Sequence, residues 1–110
     1  MPNAWSNPVL RYIAAMHVIS RKALRDFWDQ YPDSQGPLTR WFKIVQRSEF
    51  ENFAHLRHTF PSADKVGNLA VFNIGGNKYR LIASIHFNRQ KLYIRHVLTH
   101  ASYDKGEWKQ

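Results

Sequence analysis

The sequence predicts an α+β domain: an antiparallel sheet, made of a short N-terminal strand and a three-stranded C-terminal meander, with two N-terminal helices packed on one face. Three observations predict it. Residues 20–45 carry apolar side chains at helical spacing. Residues 71–99 alternate with a period of two about a Gly75-Gly76-Asn77 turn. The helical runs also precede the meander instead of alternating with its strands.

Met16-His17-Val18-Ile19 is short and β-branched and stops at Ser20, so it reads as a first strand running into a helix cap. Leu24, Phe27, Trp28 and Tyr31 then form one helical stripe, which Pro32 ends. Asp33-Ser34-Gln35-Gly36 is a turn. Pro37 suits the first position of a second helix carrying Leu38, Trp41, Phe42 and Val45. Ser48-Glu49-Phe50-Glu51 has capping-box spacing, which predicts a short helix that brings Phe53 and Leu56 to the core and closes at Pro61. Asp64 to Asn68 reads as a turn-rich lead into the meander.

Within the meander, Tyr79, Leu81, Ala83, Ile85 and Phe87 share the core face. Asn88 to Lys91 supply the next turn, after which Leu92, Ile94 and Leu98 face the core and Tyr93, Arg95, Val97 and Thr99 face away. Pairing Phe87 with Leu92 sets Arg80 opposite Thr99 and Ser84 opposite Arg95. Either two-residue reading of the glycine turn puts Asn73 on the same face as Arg80. That face gathers Asn73, Lys78, Arg80, Ser84, His86, Tyr93 and Arg95. From Lys65 through Tyr103 there is no Asp or Glu, an asymmetry that suits a polyanion.

The 110 residues have room for one domain, read as residues 16–110 with a loosely ordered N-terminal extension over 1–15. A formal net charge of +8 favours nucleic acid or an acidic protein as partner. Without cysteine, disulfides, thiol nucleophiles and cysteine-ligated zinc are excluded. No apolar run approaches the roughly 20 residues that span a bilayer, and a cytoplasmic location is expected.

Thr99-His100-Ala101-Ser102-Tyr103-Asp104-Lys105 concentrates groups that move protons or bond oxygen just past a strand end. Cleaving RNA without a metal needs a base for the 2′-hydroxyl proton, cations for the phosphorane and an acid for the leaving 5′-oxygen. Histidine and tyrosine can shuttle protons, and arginine grips phosphate through a planar fork. His100 or Tyr103 could fill the first role and Arg80 the second. The structural alternative is a histidine capping the sheet and a tyrosine packing on the last helix. Strict alternation would put His100 on the core side, so catalysis requires the chain to turn there.

His55 with His58 and His96 with His100 have the spacing of metal pairs, but the second pair would need a helix where a strand is predicted, and no metal or other cofactor is assigned. Gly75-Gly76 is followed by neither phosphate-loop pattern nor helix. Trp28 and Trp41 read as core, and Arg21, Lys22, Arg25, Arg40, Lys43 and Arg47 as solvated helix faces that an acidic partner protein or an RNA groove could use.

Met16-His17-Val18-Ile19-Ser20, Tyr31-Pro32, Phe60-Pro61, the block from Asn73 to Leu81, Tyr93-Ile94-Arg95 and Thr99-His100 with Tyr103-Asp104 resemble, in this order, the HigB-type toxins of bacterial type II toxin–antitoxin modules, within the RelE-like superfamily of mRNA interferases. The resemblance runs from Met16 to Trp108. It implies a RelE-like fold and a metal-independent endoribonuclease that cuts mRNA on the ribosome, leaving a 2′,3′-cyclic phosphate and a 5′-hydroxyl. It implies a HigA-type helix-turn-helix antitoxin as partner, with operator DNA bound only through the complex. Arg80 matches the arginine that contacts the scissile phosphate in RelE-like enzymes, and Tyr103 resembles their C-terminal tyrosine. His100 lies where several relatives place a histidine. The lysine pair and second late arginine of RelE have no counterpart by motif. Lys78, Arg95 and Lys105 substitute by chemistry, and Asn73 completes the expected RNA-binding set. The alternatives are a non-catalytic module that blocks translation by occupying RNA or the ribosome, and an inactive toxin that serves only as antitoxin partner.

Overall fold

Leu24, Phe27 and Trp28 line the inner side of a helix, α1 (Arg21–Gln30), that ends where Pro32 begins a 3₁₀ turn, Pro32–Ser34. The computed structural model describes residues 15–109, so the expected extension over 1–15 lies outside the described residues apart from Ala15. The order is β1 (His17–Ile19), α1, α2 (Gln35–Gln46), α3 (Phe53–Thr59), β2 (Asp64–Val66), β3 (Leu69–Ile74), β4 (Tyr79–His86), β5 (Lys91–Thr99) and α4 (His100–Lys105), followed by a 3₁₀ turn, Glu107–Lys109.

The five strands form one sheet in the order β1-β5-β4-β3-β2, antiparallel except for β1, which runs parallel to β5. This α+β arrangement agrees with the RelE-like fold. β2 lies in the segment expected to be a turn: Val66 pairs with Leu69 around Gly67, whose φ of 60° suits glycine. Asp64, Lys65 and Gly67 hide the strand because a three-residue edge strand needs no apolar alternation. α3 begins later than the capping-box spacing suggests. Ser48 instead donates to Ile44 O at 2.6 Å, and Asn52 caps α3, its Oδ1 accepting from His55 N at 2.8 Å.

The helices cover one face. Leu24, Leu38, Trp41, Val45 and Leu56 meet Phe72, Leu81, Ala83 and Leu92, and Trp41 and Phe60 each set an edge against Phe72. Full burial of a side chain such as Phe72 or Leu81 contributes about 1.5–3 kcal/mol.

Two departures from simple alternation place the residues of the opposite face. Ile74 pairs with Tyr79, leaving Gly75, Gly76, Asn77 and Lys78 in the loop rather than two residues, but the parity is that expected, and Asn73 faces Arg80 across the ladder. In β5, Ala83 pairs with Ile94 and Ile82 with His96, so Arg95 is an extra residue, a bulge. Beyond it the facing reverses. Val97 packs in the helix-side core and Leu98 on the other side, opposite to the expectation. Arg80 lies opposite Leu98 rather than Thr99, and Ser84 opposite Tyr93 rather than Arg95.

The second face is also not the open basic surface expected. Val71, Ile82 and Trp108 form a small buried cluster there, flanked by Leu69, Leu98 and Tyr103. The C-terminal segment has folded over the middle of the sheet.

Candidate functional site

Thr99 ends β5 and caps α4, its Oγ1 accepting from Ser102 N at 3.1 Å. The chain therefore turns where alternation would have sent His100 inward, and His100 instead comes beside the glycine turn. Its main-chain N donates to Lys78 O at 3.0 Å, and its Nδ1 lies 3.1 Å from Asn77 O. On its far side Nε2 lies 3.0 Å from Asp104 Oδ2, one helical turn on. Both neighbours are acceptors, so the ring makes both bonds only when each nitrogen carries a proton.

Arg80 is 9% exposed, not the solvent-facing sheet arginine of the expectation. Its burial comes from the C-terminal segment. The guanidinium carbon lies 5.3 Å from the centroid of the Tyr103 ring, and that ring stacks on Trp108 with centroids 5.0 Å apart. Trp108 Nε1 donates to Tyr103 O at 2.9 Å, fixing the stack. Arg80 Nη1 donates to Tyr79 O at 3.1 Å and Asn77 O at 3.2 Å, and Nη2 donates to Asn77 Oδ1 at 2.5 Å. Every one of these acceptors is neutral. Among the described residues no carboxylate pairs with Arg80.

Arg80, His100 and Tyr103 thus come together, with Asn73 exposed across the ladder and Lys105 exposed in the last turn of α4. Two expected neighbours do not join them. Lys78 lies in the loop, outside the strand alternation that put it on the Arg80 face, and forms a short ion pair with Asp33 in the turn between α1 and α2. Tyr79 donates its hydroxyl to the same carboxylate at 2.5 Å. The Lys78 ammonium, then the Tyr79 hydroxyl, hold the Asp33 carboxyl below the usual carboxylate range, and Asp33 in turn raises both Lys78 and Tyr79. Arg95, displaced by the bulge, sits 5.8 Å from the Tyr93 ring centroid and lines a shallow depression with Ala23, Asp26, Phe27 and Gln30 of α1.

Sequence reasoning missed Asn77, Asp104 and Trp108 as parts of this site. Asn77 read only as a turn former. Asp104 had a detectable signal, the four-residue spacing from His100 that one helical turn turns into contact. Trp108 had none, because nothing in the sequence says which side of the sheet the chain's last turn covers.

The site is open. A cleft of about 260 Å³, lined by Phe53, Leu69, Ile85 and Phe87 among others, lies elsewhere on the molecule and contains neither Arg80 nor His100. An extended polymer needs no enclosed pocket; a charged, shaped surface suffices. No three metal-ligating side chains converge among the described residues.

The structure thus sets a nearly buried guanidinium, with no carboxylate partner among the described residues, beside a histidine and a tyrosine in a small α+β domain, the kind of grouping that anion-binding, proton-transferring proteins use. Residues 34–106 match the HigB_toxin family, the RelE-like toxic component of a toxin–antitoxin system. Over 92 residues the chain is 39% identical to the mRNA interferase toxin HigB of Escherichia coli K12, covering 81% of this chain and 88% of that relative. Over 93 residues it is 29% identical to an mRNA interferase HigB of Escherichia coli O6:H1, covering 82% and 90%. The chain belongs to the HigB family of RelE-like toxins.

Proposed function

We propose that this toxin is a metal-independent endoribonuclease that cuts mRNA, in the cytoplasm and on translating ribosomes, and so arrests translation. The similar E. coli proteins carry the name mRNA interferase. The observation that carries the reading here is Arg80: a guanidinium nine-tenths buried, bonded among the described residues to neutral oxygens alone and backed by an aromatic face. Burying a cation without a counter-charge is costly unless an anion completes the site. The phosphodiester is that anion.

In the proposed reaction the 2′-oxygen attacks the adjacent phosphorus as its proton passes to a base, and the bond from phosphorus to the 5′-oxygen breaks as that oxygen gains a proton. The products are a 2′,3′-cyclic phosphate and a 5′-hydroxyl. Arg80 stabilises the charge on the phosphorane. His100 and Tyr103 move the two protons and orient the RNA. Asn73, Lys105 and Arg95 bind the flanking strand, Arg95 at a distance from the reacting phosphate. Lys78, in its contact with Asp33, supports the turn beside the phosphate. A HigA-type helix-turn-helix antitoxin neutralises the toxin and carries the pair to operator DNA.

Primer extension on mRNA from cells expressing the protein tests this. Discrete new 5′ ends are expected within translated frames, and these ends should accept phosphate from polynucleotide kinase without prior phosphatase treatment. Growth arrest without new ends would instead mark a protein that blocks translation by occupancy.

A further inference from the structure

Among the described residues, Asn77 supplies two of the three oxygens that hold Arg80: Oδ1 accepts from Nη2 at 2.5 Å and the main-chain O accepts from Nη1 at 3.2 Å. The same main-chain oxygen lies 3.1 Å from His100 Nδ1. One loop residue therefore touches both the cation and the imidazole, which sit far apart in sequence.

A guanidinium has five N–H donors. Three are taken by Asn77 and Tyr79. Because Asn77 draws one donor from each terminal nitrogen, it covers the end edge of the guanidinium, and among the described residues nothing bonds the edge formed by Nε and the second hydrogen of Nη2. Those two parallel donors suit a bidentate contact to phosphate. Asn77 is itself held. Gly75 and Gly76 adopt φ of 61° and 67°, and the Lys78–Asp33 pair anchors the loop from the helix side.

We propose that Asn77 is the positioning residue of the site: its amide oxygen selects which edge of Arg80 meets the scissile phosphate, and its carbonyl sets His100 at a fixed distance from that edge. An amide suits this task where a carboxylate would not. It accepts the hydrogen bond without neutralising the cation, so the full positive charge remains for the phosphorane. This rests on reading Arg80 as the phosphate ligand.

The test uses ribosome-bound mRNA in a purified translation reaction, with the saturated cleavage rate and the half-saturating toxin concentration measured separately for the full chain and for Asn77→Asp, Asn77→Ala and Arg80→Ala. Asn77→Asp keeps the acceptor and nearly the shape. Its thermal midpoint should stay within a few degrees of the original, while its saturated rate falls at least tenfold. Asn77→Ala should lose a similar factor, again in the saturated rate. Misplacement by about 1 Å is enough for a hundredfold loss. If Asn77→Asp cuts at the original rate, or if either loss lies only in half-saturation, Asn77 does not position the cation and the inference fails, with the reading of Arg80 left standing by an inactive Arg80→Ala. If Arg80→Ala itself cuts at the original rate, the underlying reading fails first.

Discussion

Arg80 occupies a sheet position whose neighbours on the same face, Val71 and Ile82, are buried apolar side chains. An aliphatic residue would match those neighbours in polarity but could not bind an anion. Replacing Arg80 by alanine removes three hydrogen bonds and the contact with the Tyr103 ring, and should lower unfolding stability by about 1–3 kcal/mol while cutting cleavage by about 10²- to 10³-fold. Urea unfolding beside a cleavage assay measures the two losses. A variant that unfolds earlier but cleaves normally would leave Arg80 a packing role alone. Tyr103 separates two jobs more cleanly. Its ring stacks on Trp108 and faces Arg80, and among the described residues its hydroxyl has no hydrogen-bond partner. Tyr103→Phe should therefore unfold like the original chain and lose only what the hydroxyl contributes to proton transfer, on the order of 10²-fold. Tyr103→Ala should lose stability as well, because Trp108 loses its stacking partner. The catalytic candidates were legible in the sequence because arginine, histidine and tyrosine have few chemical uses in such a cluster. Their burial was not, since it depends on where Trp108 folds.

The glycine loop is where separate elements meet. Gly75 and Gly76 turn the chain, Asp33 between α1 and α2 ties down Lys78 and Tyr79, and α4 arrives so that His100 can reach Asn77. Asp33 titrates below the ordinary carboxylate range when folded, so its contribution is present at neutral pH and disappears as acid protonates it in the folded state. Lys78 is raised, so on the alkaline side the contribution lasts through the ordinary amine range and fades above it. Asp33→Asn should accordingly be less stable than the original near pH 7, with the difference vanishing at acid pH where both chains lack the charge. A thermal melt at each pH checks it, and a difference independent of pH would show that the ion pair contributes nothing. Both groups are substantially solvent-accessible, so salt should shrink the effect as well. This tie was not legible beforehand, because Asp33 and Lys78 belong to different parts of the chain and only the docking of the helix layer on the sheet joins them. The helices themselves were readable from their apolar stripes. The edge strand β2 was not, since so short a strand has no pattern to read.

Across the whole molecule, acidic residues fall in the helices, in the loops before β3, at the start of β2 (Asp64) and in the C-terminal segment, leaving the stretch from Lys65 to Tyr103 without a negative side chain. Binding to ribosome-held RNA should weaken steeply with salt, the logarithm of affinity falling by roughly 0.7 for each phosphate contact on a tenfold rise in salt. A flat response in a pull-down with programmed ribosomes would argue against contact through the backbone. The overall architecture was legible because helix and strand periods are local properties. The facing of β5 was not, since a bulge leaves no mark in composition: Arg95 looks like any other strand residue until its partners are known. That single supernumerary residue makes the toxin sensitive to arithmetic more than to chemistry. Exchanging Arg95 for alanine keeps the tally, and the fold should tolerate it. Excising residue 95 would swap the sides of Val97 and Leu98, bring a polar cap where an aliphatic group belongs and swing the last helix off its perch, so the fold demands a residue at this place whatever side chain it carries.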